Sequence, residues 1–185
     1  IIPPNTSLTP RNPGVTAWSE LSEDEQTFMS RLQETWAGFL DHTDAEIGRL
    51  VAYLKEIDEF DNTIILLTAD NGTSQGGGPT GVMYLGSGGG LGASNDGKTA
   101  IESRGRTLIQ EDMTEMLSVL HDVGGPRSFT DIPWGWAQVG NTPLRWYKHD
   151  THGGGVRVPL IMHHPESIQS DAGIRDQFHH VSDIV

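Results

Sequence analysis

The sequence predicts an α/β fold, and three observations predict it. A long apolar stripe has helical period, a β-branched apolar run follows it, and turn-forming polar residues close that run. The elements run helix, strand, loop, helix, loop, strand, an order that suits neither an all-α nor an all-β protein.

Residues 1–20 are rich in Pro and Thr without a period, and read as an extended arm. Ser22-Glu23-Asp24-Glu25 then fits a capping box, with Ser22 at the N-cap and Glu25 three residues on. Phe28, Leu32, Trp36, Leu40, Thr43, Ile47, Leu50 and Leu54 recur at three- and four-residue steps. The spacing predicts a helix from about 23 to 56, roughly 50 Å long, with a kink or break near Gly38.

Asp61-Asn62 marks a turn, and Thr63 to Ala69 is a continuous apolar, β-branched run. Such a run, fed by a helix, reads as a parallel strand buried on both faces. Asp70-Asn71-Gly72 stands at its carboxyl end, the edge where open α/β sheets bind ligands. Residues 76–97 hold ten glycines and read as a flexible surface loop. A short helix is expected near 111–122, stopped at Gly124-Gly125-Pro126, and a second strand from Val156 to Met162. The 185 residues fit one domain, and both termini read as cut points within a longer protein.

Composition excludes several classes of function. Twelve basic residues stand against 25 acidic ones, a formal net charge of −13, and no basic run occurs. A nucleic-acid binder needs clustered Lys and Arg to displace counterions, so nucleic acid is not an expected partner. There is no cysteine, which removes disulfides, thiolate metal sites and a cysteine nucleophile within these residues. No 18-residue apolar run is present, so no membrane span is expected.

Two clusters can carry chemistry. Asp70-Asn71 sets a carboxylate beside a neutral amide oxygen, a hard oxygen pair that suits Ca²⁺ or Mg²⁺ better than Zn²⁺. The plain alternative is an Asp-Asn-Gly turn, since all three residues favour turns. The second cluster runs from Lys148 through His152 and Gly153-Gly154-Gly155 to Pro159. A lysine supplies a compact charge for a tetrahedral oxyanion, and consecutive glycines let backbone approach a ligand. A surface lysine beside a glycine turn is the bland account of the same residues. His149 and His152 as a metal pair lack a third ligand at suitable spacing.

Order and flanks tie the clusters together. Asp44-x-x-Ile47-Gly48-Arg49-Leu50, Asp61-Asn62-Thr63-Ile64 and Thr68-Ala69-Asp70-Asn71-Gly72 resemble the middle of the arylsulfatases. So do Trp136-Ala137, Asn141-Thr142-Pro143-Leu144-Arg145, Lys148, and Gly154-Gly155-Val156-Arg157-Val158-Pro159-Leu160-Ile161, with His180-Val181-Ser182-Asp183-Ile184 similar to the start of the next motif. The resemblance implies an alkaline-phosphatase-like α/β fold, a mostly parallel sheet flanked by helices, of which residues 1–185 form the central part. It implies hydrolysis of a small-molecule sulfate ester by a formylglycine nucleophile, with a divalent cation, usually calcium, holding nucleophile and sulfate. By resemblance Asp70 and Asn71 are metal ligands, Lys148 contacts a sulfate oxygen, and His152 lines the pocket. The family's Cys/Ser-x-Pro-x-Arg signature is absent from this chain, so nucleophile and remaining ligands are expected upstream. The 185 residues alone are therefore expected to be catalytically silent and unstable. A phosphate or phosphonate monoesterase of the same superfamily, and a non-catalytic metal- or carbohydrate-binding relative, are the rival readings. The family often has Glu where this chain has Gly153.

Overall fold

A long helix carries the fold at one end, and the computed structural model describes residues 4–83, 113–114, 116–126, 128, 130–168 and 173–184. This helix, α1, spans Glu23–Glu56. Its start is the box expected from sequence: the Ser22 hydroxyl accepts from the Glu25 amide at 3.2 Å, and Glu25 Oε2 accepts from the Ser22 amide at 2.8 Å. Two otherwise orphaned amides are satisfied by this exchange, and three acidic residues in the first turn complement the helix dipole. The helix runs through Gly38 without the expected break.

Only the first third of the apolar stripe is covered among the described residues. Phe28, Met29 and Leu32 are buried, whereas Phe39, Leu40, Leu50 and Tyr53 stand exposed. Two small cores flank the buried turns. Phe28 and Leu32 meet Met83 and Val123, with Met113, Met116 and Leu117 packed against them. The second core joins Ile132, Trp134, Ala137 and Tyr147, with Val15, Trp36 and Trp146 at its margin. The two sets of buried side chains are what hold the distant parts of the chain to α1.

Two sequence expectations are corrected here. The apolar run forms β1, Ile65–Thr68, and it pairs antiparallel with β2, Leu160–His163. In register, Ile65 faces His163 and Thr68 faces Leu160. No parallel pairing occurs among the described residues, and the strand is not buried on both faces: Leu66 and Leu67 are about 40% exposed (39% and 42%). A continuous apolar run states that a strand is apolar, not which partner covers it, so periodicity could not supply the pairing. Second, the early part of the glycine-rich stretch is packed rather than free. Gln75, Thr80 and Met83 are buried, and Val82 bridges Asp131 through paired backbone bonds of 3.0 and 3.1 Å. The rest of that loop, from residue 84, lies outside the described residues.

The later elements are short. Helical residues at 113–114 and 116–118 lead to a 3₁₀ turn at Leu120–Asp122, and Gly124 follows with φ +87°. Helix α2 spans Trp134–Asn141, and a single turn, α3, spans Gly153–Val156. The second strand therefore begins later than expected, because the glycines and Val156 coil before the chain extends. The N-terminal arm is irregular, closed by a 3₁₀ turn at Trp18–Glu20, and pinned by Gln138. That side chain accepts from the Asn12 amide at 2.8 Å and donates to the Pro10 carbonyl at 3.0 Å.

Candidate functional site

The strap that leaves β1 is the centre of the site. Thr68, the last residue of β1, donates its hydroxyl to the Pro159 carbonyl at 2.9 Å, and the chain then turns out of the sheet. Asp70 is exposed and Asn71 half-buried, with Asn71 Nδ2 donating to Asp70 Oδ1 at 2.6 Å. Gly72 is buried, and its amide donates to the Gly155 carbonyl at 3.0 Å. At the next residue the Thr73 carbonyl accepts from the Lys148 amide at 3.1 Å. Thr73 also donates its amide and its hydroxyl to Asn141 Oδ1, at 3.1 and 3.0 Å, while Asn141 Nδ2 donates to the Trp146 carbonyl at 3.1 Å. Strap, α2 and the Lys148 segment are thus sewn into one piece by paired backbone and amide groups.

The facing wall is a turn that side chains cannot enter. Gly154 and Gly155 are buried, and the Gly154 amide donates to the Arg145 carbonyl at 2.8 Å. A Cβ on Gly72 would overlap the Gly154 carbonyl oxygen, and one on Gly154 would overlap the carbonyls of Trp146 and Arg145. Gly153 differs, since a Cβ there meets only the Leu144 side chain, at 3.2 Å. A larger residue at 153 therefore needs only a small shift of Leu144. Trp146 and His149 adopt φ values of +65° and +75°, so two non-glycine residues in the left-handed region bracket Tyr147-Lys148. That conformation costs about 1–2 kcal/mol for each such residue and persists only where surrounding bonds enforce it.

The structure places the expected residues unevenly. Lys148, nearly eighty positions on in sequence, is tied by its backbone bond to Thr73 to the strap that carries Asp70 and Asn71. His152 precedes α3, exposed; its Nδ1 is bonded to Asp150 Oδ1 and its ring centroid lies 6.2 Å from that of Trp146. His149 is exposed on the left-handed turn.

Asp131 is the group the sequence did not announce. Its Oδ2 accepts from the Ser74 hydroxyl at 2.7 Å and its Oδ1 from the Ile132 amide at 2.8 Å. Burial pushes its carboxyl above the usual range, while the two donors and the positive charge of Lys148 pull the other way. A lone Asp between Thr130 and Ile132 carries no motif, and only the pairing of Val82 with Asp131 brings it beside the strap.

Tyr147 is fully buried beside Lys148, and its hydroxyl has no hydrogen-bond partner among the described residues. Burial, with a smaller push from the Asp150 charge, takes its pKa up to about 12. An unfolded tyrosine ionises near pH 10, so the unfolded state gives up this proton first. The stability tied to the neutral phenol is complete below about pH 10 and is lost as pH rises toward about 12. In the full-length protein, Tyr147→Phe is expected to gain about 1 kcal/mol at neutral pH, because it deletes an unpaired buried hydroxyl. Its melting temperature should also fall less than wild type between pH 10 and pH 12. Equal alkaline losses in thermal melts of the two proteins would contradict this account.

The donor set at the strap fits a hard divalent cation in part. A carboxylate and a carboxamide whose polar atoms already meet at 2.6 Å can turn two oxygens to one ion, since the orientation of an Asn amide is free to flip. No group of three or more His, Asp or Glu side chains able to hold a metal occurs among the described residues. Completion of the shell therefore calls for donors beyond these residues.

Comparison with known proteins places these features in company. The family model described as Sulfatase matches residues 10–185. An uncharacterised sulfatase of Schizosaccharomyces pombe is 29% identical over 186 residues, covering 100% of this chain and 29% of that protein. An arylsulfatase of Klebsiella aerogenes is 24% identical over 149 residues, covering 80% of this chain and 27% of that enzyme. The chain thus spans less than a third of the length of these relatives. Among the described residues no helix is long and apolar enough to cross a membrane.

Proposed function

The chain belongs to the sulfatase family, and from that premise we propose that its strap forms one wall of a site where a sulfate ester is hydrolysed. The observation that carries the reading is the backbone bond from Lys148 to Thr73, with its companion from Gly72 to Gly155. Together they set a lysine, a carboxylate and a carboxamide along one rigid edge.

In this reading Lys148 donates to a sulfate oxygen, and its half-buried position strengthens that charge relative to water. Asp70 and Asn71 hold a divalent cation, Ca²⁺ or Mg²⁺ by the chemistry of the pair, with calcium favoured by the resemblance to the arylsulfatases. When bound, the cation withdraws charge from the transferring sulfuryl oxygens. His152 borders the pocket from the start of α3, and its bond to Asp150 fixes the ring. The nucleophile, a formylglycine, comes from outside these residues. The mostly parallel sheet of an alkaline-phosphatase-like fold is likewise completed by other strands, with β1–β2 as an antiparallel pair within it. An aryl sulfate is the proposed substrate class, supported by the likeness to the Klebsiella enzyme.

The test is turnover by the full-length protein of an aryl sulfate against the matching aryl phosphate. Sulfate should be preferred, and Lys148→Ala should lower kcat/KM for it by about 10²-fold, the usual cost of losing one preorganised donor. Preference for the phosphate would transfer the site to the phosphomonoesterases of the superfamily. Turnover of neither ester, or a Lys148→Ala enzyme as active as wild type, would remove the reading.

A further inference from the structure

The bonds around Asp131 reach past the residues that touch substrate. Its backbone is fixed by the bridge to Val82, and its carboxylate by the Ile132 amide and the Ser74 hydroxyl. The Ser74 oxygen in turn accepts from the Gly76 amide at 3.2 Å, so a single relay runs Gly76 to Ser74 to Asp131. A Cβ on Gly76 would come within 2.5 Å of Asp131 Oδ2, so the strap lies directly on the carboxylate. One residue before Ser74, the Thr73 carbonyl holds Lys148; two residues before that stands Asn71. The strap is therefore fastened at both ends: by Gly155, Lys148 and Asn141 on the side of the chemistry, and by Asp131 on the other.

We propose that Asp131 is a positioning residue, a clamp that holds the strap through Ser74 so that Asp70-Asn71 and Lys148 keep their mutual placement. It rests on the functional reading above, and it concerns a residue that would meet neither metal nor substrate. The hydrogen bonds carry it: the neighbouring Ile132 amide fixes the half-buried carboxylate, and its short bond from the Ser74 hydroxyl ties the strap to it. Outer groups of this kind fix ligand orientation, and their loss commonly weakens metal affinity by about 10–100-fold.

The experiment uses the full-length protein, with Ca²⁺ alone titrated by calorimetry beside aryl sulfate turnover and thermal melting. Asp131→Ala should weaken Ca²⁺ about tenfold and lower kcat/KM about 10–100-fold, since a displacement near 1 Å costs on that order. Asp131→Asn retains an acceptor for Ile132 and a partner for Ser74, and should recover both quantities to within about threefold of wild type. Ser74→Ala should reproduce much of the Asp131→Ala loss, and the double variant should be no worse than the single one, the non-additivity expected of two groups in one contact. Loss of fold alone would lower the melting temperature of Asp131→Ala without this pattern. Wild-type Ca²⁺ affinity in Asp131→Ala, equal loss in Asp131→Asn and Asp131→Ala, or additive losses with Ser74→Ala would each overturn the clamp. A wild-type protein that neither binds Ca²⁺ nor turns over the ester would bring down the functional reading first, and the clamp with it.

Discussion

Asp70→Ala in the full-length protein is expected to remove bound Ca²⁺ and sulfate ester turnover together, with kcat/KM down on the order of 10³-fold or more. The size follows from what is lost. In the proposed pair Asp70 supplies the carboxylate, and without it Asn71 would offer a single neutral oxygen to a hard cation. A cation that leaves takes its charge stabilisation with it, which is worth several kcal/mol at the transferring group. Asp70 is exposed, so the substitution should leave the melting temperature of the metal-free protein almost unchanged. That separation is the useful part of the experiment. Full turnover in chelator-treated buffer, or an Asp70→Ala protein that still binds Ca²⁺ as wild type does, would contradict the assignment.

Gly72→Ala should be the most damaging substitution of a single methyl group. The new Cβ would overlap the Gly154 carbonyl, and a backbone atom cannot swing aside as a side-chain tip can. Strap and turn must part, which breaks the Gly72–Gly155 bond and strains the Lys148–Thr73 bond beside it. One buried and one half-buried backbone bond, with the packing around them, place the cost at about 3 kcal/mol or more. For the full-length protein this means a lower melting temperature and weakened Ca²⁺ binding at once. Gly153→Ala is the control, because its Cβ meets only the Leu144 side chain, and it should cost less than about 1 kcal/mol. Equal melting temperatures for Gly72→Ala and wild type would show that strap and turn are not in contact.

Local chemistry was legible in the sequence where the determinants were themselves local. The capping box and the three-and-four spacing gave α1 its ends, because both are interactions between residues within one or two turns. The glycine stop after Asp122 was readable for the same reason, and Gly124 takes the positive φ it implies. What sequence could not show was which surface each element meets. The run 63–69 is as apolar as a strand covered on both faces, yet its pairing is with residues 160–163, and its side chains stand half open among the described residues. The exposed lower half of α1 makes the same point: periodicity marks a face, and only tertiary structure says what lies on it. Asp70, Asn71 and Lys148 are proposed for the site through their ordered company rather than through any one triplet. Asp131 carries no sequence signal because only a bridge to Val82 across the glycine-rich stretch brings it beside the strap, and such a contact has no spacing rule.

The fastening of the strap also sets a timetable for the ribosome. Thr73 finds Asn141 across 68 positions, and Thr68 finds Pro159 across 91. At about 5–20 residues per second, roughly 3 to 18 s of synthesis separate the appearance of these partners. Throughout that interval the apolar run before Asp70 is made but unpaired, and α1, which needs only its own neighbours, can already be wound. Asp70 and Asn71 are therefore made well before the partners that fasten their strap. The run 63–69 finds its strand partner only when Leu160–His163 is made.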